Sequence, residues 1–279
     1  MMSAPDYDDF AYCLAQVRGG ARDLYLADLL LPDLIRNDIA AIHAFHVEIT
    51  NISLSLAEPM AGQIRIQWWI DVLQGDRTSE AGGNPLSRCL LDVIDRHNLP
   101  VADFVAKLEA HIFDLYQDPM ADRTMFEGYC GETRSCLFQW AALIAAASPG
   151  TKLADASGHA GVATGCVAIL ENMGLHHSRG QCFVPGDLLA AVGLSVNEYL
   201  AAPVSVHEQV ILALVDLATE HEQAALTAVD ALGSKARPVF KPLSLVPLYL
   251  QRIKKAPLAV FQHREPVSQW RCQWALWRF

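Results

Sequence analysis

His43, His46 and Thr50 stand at i, i+3 and i+7 of one apolar-periodic segment, so they share a stripe along one side of a helix. His176 and His177 form a second imidazole pair far along the chain. Imidazole nitrogens could recruit Zn²⁺ or another transition metal, or offer donors to a phosphate. No Cys or carboxylate completes a set of ligands, which favours hydrogen-bonded histidines. Asp114-x-x-x-Asp118, with Asp122 beyond, is a carboxylate string of chelating length. It closes the helix that starts at Val101 and runs into Pro119, so a solvated helix end is the expected reading. No Gly-x-Gly-x-x-Gly, Walker or Gly-x-Ser-x-Gly string occurs, and dinucleotide and serine-hydrolase chemistry are unsupported. Cys13, Cys89, Cys130, Cys136, Cys166, Cys182 and Cys272 are scattered, without a Cys-x-x-Cys pair, and read as reduced core residues.

The elements that must position these groups are helical. Ile39, Ile42, Phe45, Ile49, Ile52 and Leu56 step by three or four, the period of one helix face. Capping boxes are expected at Thr124-x-x-Glu127, Ser195-x-x-Glu198 and Ser205-x-x-Glu208, the last opening a long helix from Val210 to Leu232. Breakers fall at Gly75–Asp76, Gly82-Gly83-Asn84-Pro85, Pro149-Gly150 and Pro185-Gly186. Strand-length alternation is hard to find, so one all-α domain of roughly ten helices is expected. Gly158, Gly161 and Gly165 recur at helical spacing and read as close packing. Trp68–Trp69 reads as core.

The chain has 279 residues, 52% apolar and 19% charged, enough to bury a sizeable core. Its net charge of −10 argues against a nucleic-acid partner, which needs clustered Lys and Arg. That charge is uneven. From Ser234 to Phe279 nine basic residues face Glu265 alone, giving +8, against −18 over the first 233 residues. Trp270, Trp274 and Trp277 share one helical face of this tail, with Phe279 at its end. A basic aromatic segment can lie on an anionic membrane, or cap the acidic body of its own fold. The acidic start, Met-Met-Ser-Ala-Pro-Asp-Tyr-Asp-Asp, suggests neither a signal peptide nor a transit peptide. The longest apolar stretch, Trp140 to Ser148, is short of the ~20 residues of a membrane span. A cytoplasmic protein, peripheral to a membrane at most, is expected.

Four segments resemble the squalene/phytoene synthase family, all-α head-to-head prenyl transferases. Arg36 to Ile52 is similar to the first aspartate-bearing helix, and Arg65-Ile66-Gln67-Trp68-Trp69 to the Trp-Trp segment. Phe126 to Leu137 resembles the segment beginning Leu-x-x-Tyr-Cys, and Gly158 to Pro185 the second aspartate helix with its exit. The resemblance implies an isoprenoid-synthase-type bundle around a central cavity. It divides the chain into an N-terminal segment 1–22, a synthase-like domain 23–255 and a basic aromatic tail 256–279.

In that family two Asp-x-x-x-Asp motifs chelate Mg²⁺, which binds the substrate diphosphate. The resemblance places those four aspartates on Thr50, Leu54, Asn172 and His176, none a carboxylate. On the second helix the cavity stripe, which the family fills with Gln, Asn, Asp and Asp, reads Gly165, Ala168, Asn172 and His176. Glu48 lies 200° around its helix from Thr50, and Glu171 about 100° from Asn172, so neither acid replaces the motif. Arg36, His43, His46, Tyr129, Gly165, Ala168, Arg179 and Gln181 remain as cavity or ligand residues by resemblance. The wording is closest to a synthase-like branch of respiratory complex I assembly factors, carried by Ala44-Phe45-His46-Val47-Glu48, Arg96-His97-Asn98-Leu99 and Ser178-Arg179. That implies a non-catalytic protein with complex I assembly partners, no cofactor, and an isoprenoid or lipid as a cavity ligand. Two alternatives stand: an active prenyl transferase whose Mg²⁺ site is rebuilt from His46, Glu48, Glu171 and His176, and a peripheral membrane or lipid-binding module.

Overall fold

The computed structural model describes residues 5–55, 58–145, 150–262 and 266–279. Met1 to Ala4, Leu56, Ala146 to Pro149, Arg264 and Glu265, which entered the readings above, lie outside these residues. The described residues contain α-helices and short 3₁₀ and π turns and no strand. Among the described residues there are fifteen α-helical segments where roughly ten were expected, because short helices fill the connections between the long ones.

The N-terminal half holds α1 (Tyr7–Gly20), α2 (Arg22–Asp28), α3 (Asp33–Ser55), α4 (Pro59–Gln74), α5 (Thr78–Ala81), α6 (Pro85–His97) and α7 (Val101–Ala110). Asp6 and Asp9 form a reciprocal capping box on α1, whose Cys13 and Val17 enter the main core against α3 and α6. Pro59 and Pro85 occupy the first turns of α4 and α6, where a missing N–H costs nothing. Gly75 ends α4 at φ +87°, a left-handed position that suits glycine.

Then come α8 (Arg123–Cys130), a π turn over Gly131–Ser135, α9 (Cys136–Ile144) and the 28-residue α10 (Thr151–Ser178). Asp122 caps α8 by accepting the Met125 N–H at 2.8 Å, so the box expected at Thr124 does not form. α11 (Gly186–Ala191) and α12 (Val196–Ala201) follow, and Ser195 with Glu198 makes the expected box on α12. The box expected at Ser205 is also absent. That residue lies in a 3₁₀ turn, Val204–Val206, and His207 precedes α13 (Glu208–Asp230) without a side-chain cap. A nine-residue 3₁₀ segment, Arg237–Leu245, leads to α14 (Val246–Lys255), a 3₁₀ turn Pro257–Phe261 and α15 (Gln269–Arg278).

α10 packs most extensively on α13 and also meets α8, α9, α14 and the π turn, so it forms the axis of the bundle. By length and composition α10 could cross a membrane, but two-thirds of its apolar window is buried inside the fold. Phe104 stacks on Trp140 at 3.7 Å, and Phe45 meets Trp69 edge-on at 5.2 Å, tying α3, α4, α7 and α9 together. Trp69 is thus core, while Trp68 reaches the surface and donates to Glu80 at 2.9 Å. Cys272 and Leu276 of α15 pack with Leu26, Ala27 and Leu245 in a small second core.

Candidate functional site: a cavity without a metal cradle

Two connected chambers open between α3, α10 and the π turn. The larger, about 550 Å³, is walled by α2, α3, α10, the Arg237–Leu245 segment and α14. The smaller, about 60 Å³, adds α8, the loop after α7 and the segment after α10. Thr50, Leu54, Arg134, Ala168 and Asn172 line both. Val47, Leu54, Val167, Ala168, Leu245 and Val246 make much of the larger chamber apolar.

The structure brings Thr50, Leu54, Asn172 and His176 together around the small chamber, with Tyr129, Gly165, Ala168, Arg179 and Gln181. Thr50 Oγ1 donates to the His46 carbonyl at 2.9 Å, and Asn172 Nδ2 to the Ala168 carbonyl at 2.9 Å. Arg179 donates to the carbonyls of Ser53 and Leu54 at 2.7 and 2.9 Å, tying the end of α10 to the end of α3. Gln181 Nε2 donates to the Asp114 and Tyr116 carbonyls at 2.8 and 2.9 Å. Burial, first, and the Arg179 charge lower the His176 pKa to about 4 against a raising pull from Asp114, so its ring is neutral at pH 7. Its Nδ1 is buried without a hydrogen-bond partner. Gly165 is needed for packing: a Cβ there would stand 2.5 Å from Cys130 Sγ.

Two expected cavity residues, Arg36 and His43, lie elsewhere, as does His177. Arg36 turns back to the Asp28 and Leu31 carbonyls at 3.2 and 2.8 Å and pairs with Asp33, so it closes the α2–α3 corner. His43 is drawn to the fully buried Asp28, with Nδ1 at 2.9 Å from Oδ1, and lines neither chamber. His177 packs among Tyr199, His207 and Phe261. His46 does line the larger chamber. Two neighbouring acids are held by arginines: Glu48 by Arg65 of α4, at 2.6 Å, and Glu171, which lines the larger chamber, by Arg252 of α14.

Asp114 departs most from its sequence reading. α7 ends at Ala110, and a 3₁₀ turn, Phe113–Leu115, folds Asp114 inward to line the small chamber; Asp118 and Asp122 stay exposed. Tyr129 donates its O–H to Asp114 Oδ1 at 2.7 Å, and His111 Nδ1 lies 2.7 Å from Oδ2. Burial and the adjacent Asp114 charge push the Tyr129 pKa well up. Behind this wall Lys107, fully buried, donates to the Thr133 carbonyl and reaches His46 Nδ1 at 3.3 Å and His111 Nε2 at 3.4 Å. Burial lowers its pKa to about 8. Sequence reasoning missed Lys107, His111 and Arg134. A lysine four residues before a histidine, on the same stripe as Phe104 and Leu108, was the available signal for the first two. Arg134 enters the cavity from the π turn, which sequence periodicity does not announce.

The squalene/phytoene synthase family profile matches residues 17–278. The chain belongs to the squalene/phytoene synthase family. Its sequence is also similar to "NADH dehydrogenase (ubiquinone) complex I, assembly factor 6" of Rattus norvegicus, 24% identical over 91% of this chain and 76% of that protein. The Homo sapiens protein of that name is 25% identical over 90% and 75%. A Dictyostelium discoideum homolog is 22% identical over 91% and 72%. Among solved structures, a dehydrosqualene synthase superposes with TM-score 0.79 at 18% identity, covering 97% of this chain and 95% of its own. Squalene synthase HpnC from Alicyclobacillus acidocaldarius gives 0.72 at 17%, covering 89% and 94%. These superpositions establish the isoprenoid-synthase-type fold.

The family's Mg²⁺ does not fit the donors present. Hard cations require several oxygen ligands, mainly carboxylates. Thr50, Leu54, Asn172 and His176, the positions the resemblance assigns to the motif, offer a hydroxyl, an alkyl group, an amide and a neutral imidazole, and among the described residues no group of three His, Cys, Asp or Glu could hold a metal. Asp114 is engaged by Tyr129 and His111, and Glu171 by Arg252.

Proposed function

We propose that this protein is a non-catalytic member of the family that acts as an assembly factor for respiratory complex I, with assembly proteins as partners. The observation that carries the reading is the small chamber itself: Thr50, Leu54, Asn172 and His176 converge where prenyl transfer would need carboxylates. Without them no metal neutralises a leaving diphosphate, and the barrier to ionisation stays high. The names of the curated relatives supply the assembly role. The reading requires no Mg²⁺. The apolar larger chamber suits an isoprenoid or lipid tail. Deleting the gene in its host and assaying assembled NADH:quinone oxidoreductase tests the role, and a normal level of assembled enzyme rejects it. Incubating the purified protein with geranylgeranyl diphosphate and Mg²⁺ tests the chemistry, and diphosphate release at a synthase-like rate establishes the transferase alternative.

A second observation bears on where the protein works. Trp270, Trp274 and Trp277 are 69%, 55% and 68% exposed on one face of α15, beside Leu29 and Leu30 of the α2–α3 corner. Indole rings flanked by Arg271 and Arg278 suit an anionic membrane surface. We read α15 as the element that holds the protein at the inner membrane. The Trp274→Ala/Trp277→Ala variant is expected to float poorly with phosphatidylglycerol vesicles while melting at the wild-type temperature; equal flotation removes α15 from this role.

A further inference from the structure

Among the described residues, every carboxylate that lines the two chambers has a partner. Asp23 is met by Arg22 at 3.1 Å and by the Tyr249 hydroxyl, Glu171 by Arg252, and Asp114 by His111 and Tyr129. The cations are not matched in the same way. Arg179 spends its guanidinium on two backbone carbonyls, and no described carboxylate forms an ion pair with it. Arg134 lines both chambers and is half-buried, and its guanidinium makes no hydrogen bond or ion pair with any described residue. A guanidinium carries five N–H donors in a rigid fork, and removing it from water without acceptors is costly. Such a fork fits the paired oxygens of a phosphoryl group.

The surroundings favour an anion at that point. The π turn projects Arg134 toward α10 where Gly165 has no side chain, and a Cβ there would lie 4.0 Å from Arg134 Cγ. The His176 ring on the same chamber has a buried Nδ1 without a partner. Arg134 stands where the small polar chamber joins the large apolar one, so a head group held there directs its tail into about 550 Å³ of largely apolar space.

We propose that Arg134 is the recognition residue for a phosphoryl oxyanion heading an apolar chain, bound directly by the protein without a divalent metal. This deepens the non-catalytic reading and rests on it. In this arrangement Arg134 and Arg179 take the electrostatic place of a metal ion but hold the head group instead of helping it leave.

Calorimetric titration of the full chain with farnesyl monophosphate and with inorganic phosphate, each in EDTA and in Mg²⁺, tests the proposal. The expected result is farnesyl monophosphate binding in EDTA that Arg134→Met weakens about tenfold or more. The melting temperature of Arg134→Met should not fall, because the arginine holds nothing in the free protein; Arg134→Gln gives the same reading should the Met variant fail to fold. Inorganic phosphate binding as tightly assigns the site to a free anion, and binding far more weakly assigns it to an amphiphile; both keep Arg134 as the anchor. Binding that appears only with Mg²⁺, persists without Arg134, or is absent for both probes overturns the inference. The last result leaves the assembly role standing, whereas synthase-like diphosphate release overturns the non-catalytic reading whatever Arg134 does.

Discussion

Lys107 places an ammonium group at 0% exposure with three acceptors around it: the Thr133 carbonyl, His46 Nδ1 and His111 Nε2. Three donors meet three acceptors, which assigns the His111 proton to Nδ1, facing Asp114. Lys107→Met fits the space but orphans those acceptors, and is expected to cost about 2–4 kcal/mol in denaturant unfolding. His176 supplies a pH dependence. Its folded pKa of about 4 lies below the ordinary 6.5, so between those values the unfolded chain binds more protons. Stability is therefore highest above pH 6.5 and falls as the pH drops toward 4, by up to about 3 kcal/mol from this residue. His46 and His111, whose pKa values burial also lowers, act in the same direction. Urea titrations between pH 4 and 7 should show a shallower acid loss for His176→Phe than for the wild type.

Helix starts and close approaches carry the next set of expectations. Asp122 caps α8, and Asp122→Ala should lose about 1 kcal/mol, whereas Thr124→Ala, exposed within the first turn, should change little. A comparison of the two melting curves tells the observed cap from the one the sequence suggested. At Gly161 a Cβ would meet the Ser135 backbone N at 2.5 Å and Cα at 2.6 Å, so Gly161→Ala forces the π turn away from α10. The expected loss is about 1–3 kcal/mol, read by denaturant unfolding, with an altered cavity because Arg134 rides on that turn. Gly158, at the same spacing, has open space at its Cβ position, and Gly158→Ala serves as the neutral comparison. Three glycines that look equivalent in a row of letters thus divide by what faces them.

Over the whole molecule, the tail's positive charge is partly absorbed by the acidic body. Arg252 pairs with Glu171, Arg237 with Asp230 at 2.5 Å, and Lys254 with Asp216 at 3.7 Å. The exposed pairs, Arg237–Asp230 and Lys254–Asp216, add little each, and apolar burial is what fixes the tail. Phe240, Leu243, Val246, Leu250 and Ile253 belong to the main core, and Cys272 and Leu276 to the second. A chain ending at Leu232 is therefore expected to expose that core and aggregate, which makes substitution of the tryptophans the sounder test of α15. Size-exclusion chromatography of the shortened chain checks this.

Helical class and the family were legible in the sequence, as was the absence of carboxylates at the positions the resemblance assigns to the motif, because each is local. Apolar residues spaced by three and four define a helix face wherever it later packs, and Thr50, Leu54, Asn172 and His176 lack carboxylates in any conformation. The partners were not legible. Asp28 claims His43, the carbonyls of Asp28 and Leu31 claim Arg36, and a 3₁₀ turn swings Asp114 from an expected helix end into the cavity wall. Only the tertiary structure decided which charges find a mate and which, like Arg134, stand without one, because pairing depends on distances between residues that the chain order leaves far apart.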